Sequence, residues 1–92
     1  MMASLKCVVA WSNERHLCDL VAEALAGIAE PGELRRLGDE TFVLWTTDTA
    51  AVLRDRLRSV VRAGEGLFVI DFEVWSGYGG ALDAEWLLRR GH

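Results

Sequence analysis

The residues able to do chemistry are few and scattered. Asp71 and Glu73 alternate along what reads as a strand, so both carboxylates point to one side. Such a pair can bind a divalent cation or exchange protons with a substrate. It equally marks the place where an apolar strand runs out into water. Arg54, Arg58 and Arg62 recur every fourth residue, with Arg56 beside them. Aligned guanidiniums hold phosphates, which makes these three the candidate nucleic-acid-binding residues. Asp55 and nearby acids offer them closer partners, and a solvated helix face is the rival reading. Arg35 and Arg36, or Arg89 and Arg90, would extend the stripe. His16 falls off the apolar stripe of its helix and is expected at the surface. Cys7 and Cys18 lack metal-ligand spacing and read as reduced thiols in or near the core. Gly77-Tyr78-Gly79-Gly80 has neither the lysine nor the strand–loop–helix setting of a phosphate loop, and reads as a hinge. These patterns imply no catalytic constellation, no metal site and no cofactor.

A chain of 92 residues has room for one domain. A domain of that size buries well under three quarters of its unfolded surface, and association with a second copy is a common remedy. Apolar residues make up 51% and charged residues 26%, a globular composition. The net charge of −4 argues against a protein that coats nucleic acid through overall charge, while leaving room for a local basic stripe. No window approaches the ~18 apolar residues of a membrane span. Met1 to Lys6 lack a basic stretch leading into a long apolar one. The chain therefore reads as cytoplasmic, with no membrane partner.

The elements that must position these residues follow from periodicity. Residues 5–11 alternate as a strand, with Cys7, Val9 and Trp11 on one side and Val8 and Ala10 on the other. Ser12 or Asn13 is placed to cap a helix over 14–29, whose stripe is Leu17, Leu20, Val21, Ala24, Leu25 and Ile28. Pro31-Gly32 ends it. Residues 33–37 form a short polar strand whose charges suit a sheet edge. Residues 41–46 form a stronger one, Thr-Phe-Val-Leu-Trp-Thr. Thr47, Asp48 or Thr49 caps a second helix with Leu53, Leu57, Val60 and Val61 on its apolar side, and Gly64 is its expected stop. Residues 66–74 are the fourth strand. The order is β-α-β-β-α-β, an α+β chain, and right-handed crossovers make a ferredoxin-like sandwich its leading assembly. That is a four-stranded antiparallel sheet with both helices on one face, over residues 1–75. Residues 76–92 form a C-terminal tail, a short helix or an added strand.

Two helices cover one face. Val43 and Trp45 oppose Phe42 and Leu44, and Phe68, Ile70 and Phe72 oppose Leu67 and Val69, so both faces are apolar. An uncovered face of several hundred Å² is a liability or an interface. A homodimer is expected, with Trp11, Trp45, Trp75 and Trp86 at its interface; the rival is a tail folded back on its own sheet.

Three stretches give the chain a family resemblance. Val8-Val9-Ala10-Trp11-Ser12 resembles the opening strand of small ferredoxin-like proteins: the CRISPR adaptation nuclease-like subunit, the VapD-type toxins and the SinR-like proteins. Thr41 to Thr49, with Leu53-Arg54-Asp55-Arg56-Leu57, resembles their third strand and second helix. Gly66 to Ile70, with Trp75-Ser76-Gly77 and Glu85-Trp86-Leu87, resembles their last strand and tail. In that family the first strand ends in an aromatic residue and a metal-binding aspartate. Trp11 matches the aromatic position, but Ser12 stands in the aspartate's place, and a neutral hydroxyl is a poor ligand for a hard cation. The resemblance therefore implies a non-catalytic homodimeric scaffold that meets nucleic acid or a protein partner. Its rivals are a metal-dependent nuclease using Asp71, Glu73 or Asp48, and a toxin–antitoxin-type or regulatory protein-binding module.

Overall fold

The computed structural model describes residues 2–13 and 16–90. The chain is α+β: strand β1 (Ser4–Trp11), helix α1 (Leu17–Ile28), strands β2 (Leu34–Arg36) and β3 (Thr41–Thr46), helix α2 (Ala50–Leu57), strand β4 (Gly66–Phe72) and helix α3 (Ala84–Leu88). The four strands make one antiparallel sheet in the order β2-β3-β1-β4. Strand alternation divides the apolar residues between its faces. Val8 and Ala10 of β1 and Phe42 and Leu44 of β3 face α1 and α2, where Leu17, Val21, Leu25, Leu53 and Leu57 complete the main core. Leu5 and Val43 point the other way and meet Trp86 and Leu87 of α3.

That third helix changes the covering of the sheet. The sequence supplies two long helical stripes and leaves the tail open between helix and strand; the tail forms a helix on the face opposite α1 and α2. The second face is thus partly closed by the chain's own C-terminal segment.

The elements differ from expectation mainly at their ends. Glu14 and Arg15, expected to begin α1, lie outside the described residues. Neither Ser12 nor Asn13 caps the helix; His16 holds that position and makes no side-chain capping bond. Thr49 does cap α2, its hydroxyl accepting from the Val52 N–H at 3.2 Å. α2 stops at Leu57, seven residues before Gly64. Residues 58–60 tighten into a 3₁₀ turn and Val61 is extended, as a β-branched pair favours. Gly64 instead sits in the turn leading into β4, at φ +86°, a conformation that costs a glycine little. No helix among the described residues is long and apolar enough to cross a membrane.

Candidate functional site

The second face of the sheet has two halves. Over the first, Trp86 is only 5% exposed and is held from every side. Asp83 caps α3, accepting from the Trp86 backbone N–H at 3.1 Å. The indole Nε1–H donates to the Gly32 carbonyl at 2.7 Å. The turn at Pro31-Gly32, with Gly32 at φ +81°, carries that carbonyl. The Arg90 guanidinium lies 4.1 Å from the ring centroid and that of Arg35 lies 5.3 Å from it, so two cations flank one aromatic. Each is itself anchored: Arg90 to Glu33 at 2.6 Å, Arg35 to Asp83 at 3.1 Å. The hydrogen bond from Arg90 holds the Glu33 carboxyl below its usual range and raises the Arg90 guanidinium. Asp83 is lowered first by the Trp86 N–H and then by Arg35.

The second half is bare. Across the β1–β4 ladder Trp11 stands opposite Gly66, Val9 opposite Phe68 and Cys7 opposite Ile70. Trp11, Phe68 and Ile70 are 45%, 55% and 39% exposed. Gly66 explains the pose of Trp11: a Cβ there would fall 2.0 Å from the ring, so the indole lies flat over the glycine. Between the two halves runs an apolar groove of about 250 Å³, bordered by Cys7, Ile70, Phe72, Trp75, Leu82 and Leu87. Burial pushes the Cys7 thiol up, away from the reactive thiolate. Cys18 is also raised, first by burial and then by Glu40, and its Sγ donates to the Ala10 carbonyl at 3.3 Å.

The four tryptophans therefore fall in different places. Trp11 is on the bare half. Trp45 and Trp75 are half-buried beside α3. Trp86, expected to meet a neighbour, is enclosed by its own chain, because its indole N–H finds a carbonyl and its ring finds two guanidiniums there.

The arginine stripe is cut short. Arg54 lies on α2 and Arg58 at its C-cap in right-handed helical conformation, so these two keep helical spacing, whereas Arg62 lies beyond the extended Val61 and leaves the repeat. Arg54 pairs with Asp55 at 3.0 Å and Arg56 with Asp48 at 2.6 Å. The carboxylates are likewise dispersed. Asp71 serves Lys6, whose ammonium lies 3.3 Å away, and Asp48 serves Arg56. Glu73 borders a cleft of about 300 Å³ with Ser4, Trp45 and Arg90. Among the described residues no group of three or more His, Cys, Asp or Glu side chains is arranged to hold a metal ion. Ser12 donates through Oγ to the Glu65 carboxylate at 2.7 Å, so a carboxylate does stand beside the end of the first strand.

One interior feature escaped the sequence reading. Lys6 is 2% exposed and points to the α1–α2 side, where Ser4 accepts from its Nζ. The available signal was its place in the alternation Ser4, Lys6, Val8, Ala10, on the side that carries the core. The chain matches no family model, no curated protein and no solved structure.

Proposed function

We propose that the protein is a non-catalytic homodimeric scaffold built on a ferredoxin-like frame to which α3 is added. The strand order β2-β3-β1-β4, with α1 joining β1 to β2 and α2 joining β3 to β4, supports that frame. One observation carries the functional reading: Trp11, Phe68 and Ile70 lie exposed side by side on the part of the sheet that α3 leaves uncovered. Taking aromatic side chains at ~150–250 Å² each, the patch offers roughly 300 Å² per copy. Two copies would then gain about 15 kcal/mol at ~25 cal/mol per Å², before an association cost of about 4–15 kcal/mol. The remainder spans about 0–11 kcal/mol, a range that includes association at micromolar concentrations. The resemblance to the CRISPR adaptation subunit and the SinR-like proteins favours the same reading. Ser12 in place of the metal-binding aspartate, and acids already committed to arginines and Lys6, weigh against nuclease chemistry. A nucleic-acid partner is disfavoured by the net charge of −4 and by the pairing of Arg54 and Arg56.

Light scattering at tens of micromolar tests the reading: a particle of twice 10.2 kDa is expected, and a 10.2 kDa particle would refute it. A second reading, a metal-dependent nuclease, rests on Glu65 standing at Ser12. Its carboxylate already accepts from the Ser12 hydroxyl and from the Arg62 N–H at 2.8 Å. Incubation with labelled RNA and DNA in Mg²⁺ or Mn²⁺ separates the two. Cleavage that Glu65→Gln abolishes would overturn the scaffold.

A further inference from the structure

We infer that the second copy joins at the open edge of β4, strand to strand, so that two four-stranded sheets become one. This rests on the homodimer reading and adds where the copies meet. The two sheet edges are built differently. β2 is three residues long and carries Arg35 and Arg36, the charged and short form that discourages stray pairing. β4 runs seven residues, Gly66–Phe72, with no proline or basic residue and one charge, Asp71. Among the described residues it pairs with β1 alone, on one side. Beside it lies a groove of about 220 Å³ between strand and helix, lined by Ala50, Ala51 and Arg54 of α2 and by Leu67, Phe68 and Val69. An unprotected edge with apolar side chains on both faces is a template for another strand.

A second β4 fits that edge in an antiparallel register centred on Val69. The register uses the whole strand, from Gly66 opposite Phe72 to Phe72 opposite Gly66. On the bare face it sets Phe68 of each copy against Ile70 of the other, so that two of the three exposed apolar side chains gain a cross-strand neighbour. Aromatic and β-branched residues are favourable cross-strand neighbours. On the helix face it sets Leu67 of each copy against the second copy's Asp71. Leu67 and Arg54 line the same groove, so the second copy's carboxylate arrives beside a groove that Arg54 lines. Lys6 and Ser4 both use one oxygen of Asp71, Oδ1, so Asp71 can keep Lys6 and present Oδ2 to the second copy's Arg54, which would exchange its exposed partner Asp55 for it. The two-fold axis makes the contact twice. A center elsewhere shortens the ladder and loses the charge match. Phe68 and Ile70 contribute roughly 200 Å² per copy, well below the ~800 Å² per partner of a standard interface, so the ladder itself must supply the remainder and the affinity stays modest.

The test measures molar mass by light scattering across 5–200 µM, alongside amide hydrogen exchange resolved by residue. The wild type is expected at twice 10.2 kDa at the upper end. Arg54→Glu, which sets like charges together on an exposed helix face, should weaken dimerisation at least tenfold. Phe68→Lys should abolish it, while Trp11→Ser, one strand in from the edge, should weaken it less than Arg54→Glu does. In the dimer the β4 amides that point away from β1 should exchange at least tenfold more slowly than in dilute protein. A dimer that Trp11→Ser dissociates, Arg54→Glu spares, and whose outward β4 amides stay unprotected is joined by its faces; that overturns the edge and keeps the homodimer. A dimer spared by all three variants overturns the edge as well. If Arg54→Glu and Trp11→Ser both dissociate it, the outward amides decide, protection supporting the edge and its absence refuting it. A wild type that stays at 10.2 kDa throughout overturns both readings.

Discussion

Replacing Trp86 by alanine tests how the second face is held. The side chain is 5% exposed, so nearly all of its ~200–250 Å² is withdrawn from water. At ~25 cal/mol per Å² that is worth about 5 kcal/mol. Its indole hydrogen bond to Gly32 adds about 1 kcal/mol, and the flanking guanidiniums of Arg90 and Arg35 add roughly 0.5–1 kcal/mol each. Alanine keeps some of the apolar contact and its neighbours relax into part of the gap, so the observed loss for such a change is about 3–5 kcal/mol. A domain of this kind has a total stability of roughly 5–15 kcal/mol. One feature limits the loss. α3 is five residues long and reaches the sheet through the glycine-bearing segment 73–83, so it can undock while the main core stays folded. If undocking costs less than 3 kcal/mol, the global loss is capped at the docking energy and the face of Leu5 and Val43 opens. The assay is urea denaturation, paired with binding of a dye that reports exposed apolar surface. Trp86→Phe is the control. It keeps most of the apolar area, loses the hydrogen bond to Gly32, and should cost about 1–2 kcal/mol. The expected result for Trp86→Ala is a large loss, or a smaller one with new dye binding. A loss below about 1 kcal/mol with no dye binding would refute the argument that Trp86 closes this face.

Other perturbations follow from the same geometry. Glu33 and Asp83 titrate below their ordinary range, so the docking they support is complete above about pH 4.5 and fades as pH falls through their lowered values. Indole N–H exchange of Trp86 should therefore accelerate in acid, and Glu33→Gln should flatten that response. Asp71→Ala leaves the Lys6 ammonium inside with Ser4 alone; because Asp71 itself is largely exposed, the loss in a urea melt should be about 1–2 kcal/mol, well short of a fully buried pair. Lys6→Met, which removes the charge and keeps the stem, should be neutral or stabilising in the same melt. Gly66→Ala puts a methyl into the space of the Trp11 ring, which must swing outward. Trp11 emission should shift to the red, and a double-mutant cycle with Trp11→Ala should show coupling of at least 0.5 kcal/mol.

Much of this molecule was legible as pattern. The run Thr41 to Thr46 is the third strand from end to end, because its β-branched and aromatic residues are bounded by turn signals on both sides. The alternation on β1 correctly separates Val8 and Ala10 from Cys7 and Val9. Thr49 was among the candidate caps. The arginine repeat holds only while the chain stays helical: Arg54 and Arg58 keep the spacing, and Arg62 falls beyond the extended Val61. Propensity after Arg58, in Ser59, Val60 and Val61, competed against the charge pattern and prevailed. The tail misled for another reason. Its glycines said where the chain bends, but Trp86 is fixed by Gly32, Arg35 and Glu33, residues about fifty positions away, and no local pattern contains that.

Residue order alone determined the four strands, the places of the two longer helices, and that both sides of the sheet are apolar, since those follow from period and composition within a few neighbouring residues. Only the tertiary structure decided how the second side is shared. Docking of α3 joins its own Asp83 and Arg90 to a guanidinium, a carboxylate and a carbonyl supplied by Arg35, Glu33 and Gly32, about fifty positions away. The same placement leaves Trp11, Phe68 and Ile70 in water and β4 at an open edge. Burial is a property of what lies across a contact, and the partner across a contact is set by the fold as a whole.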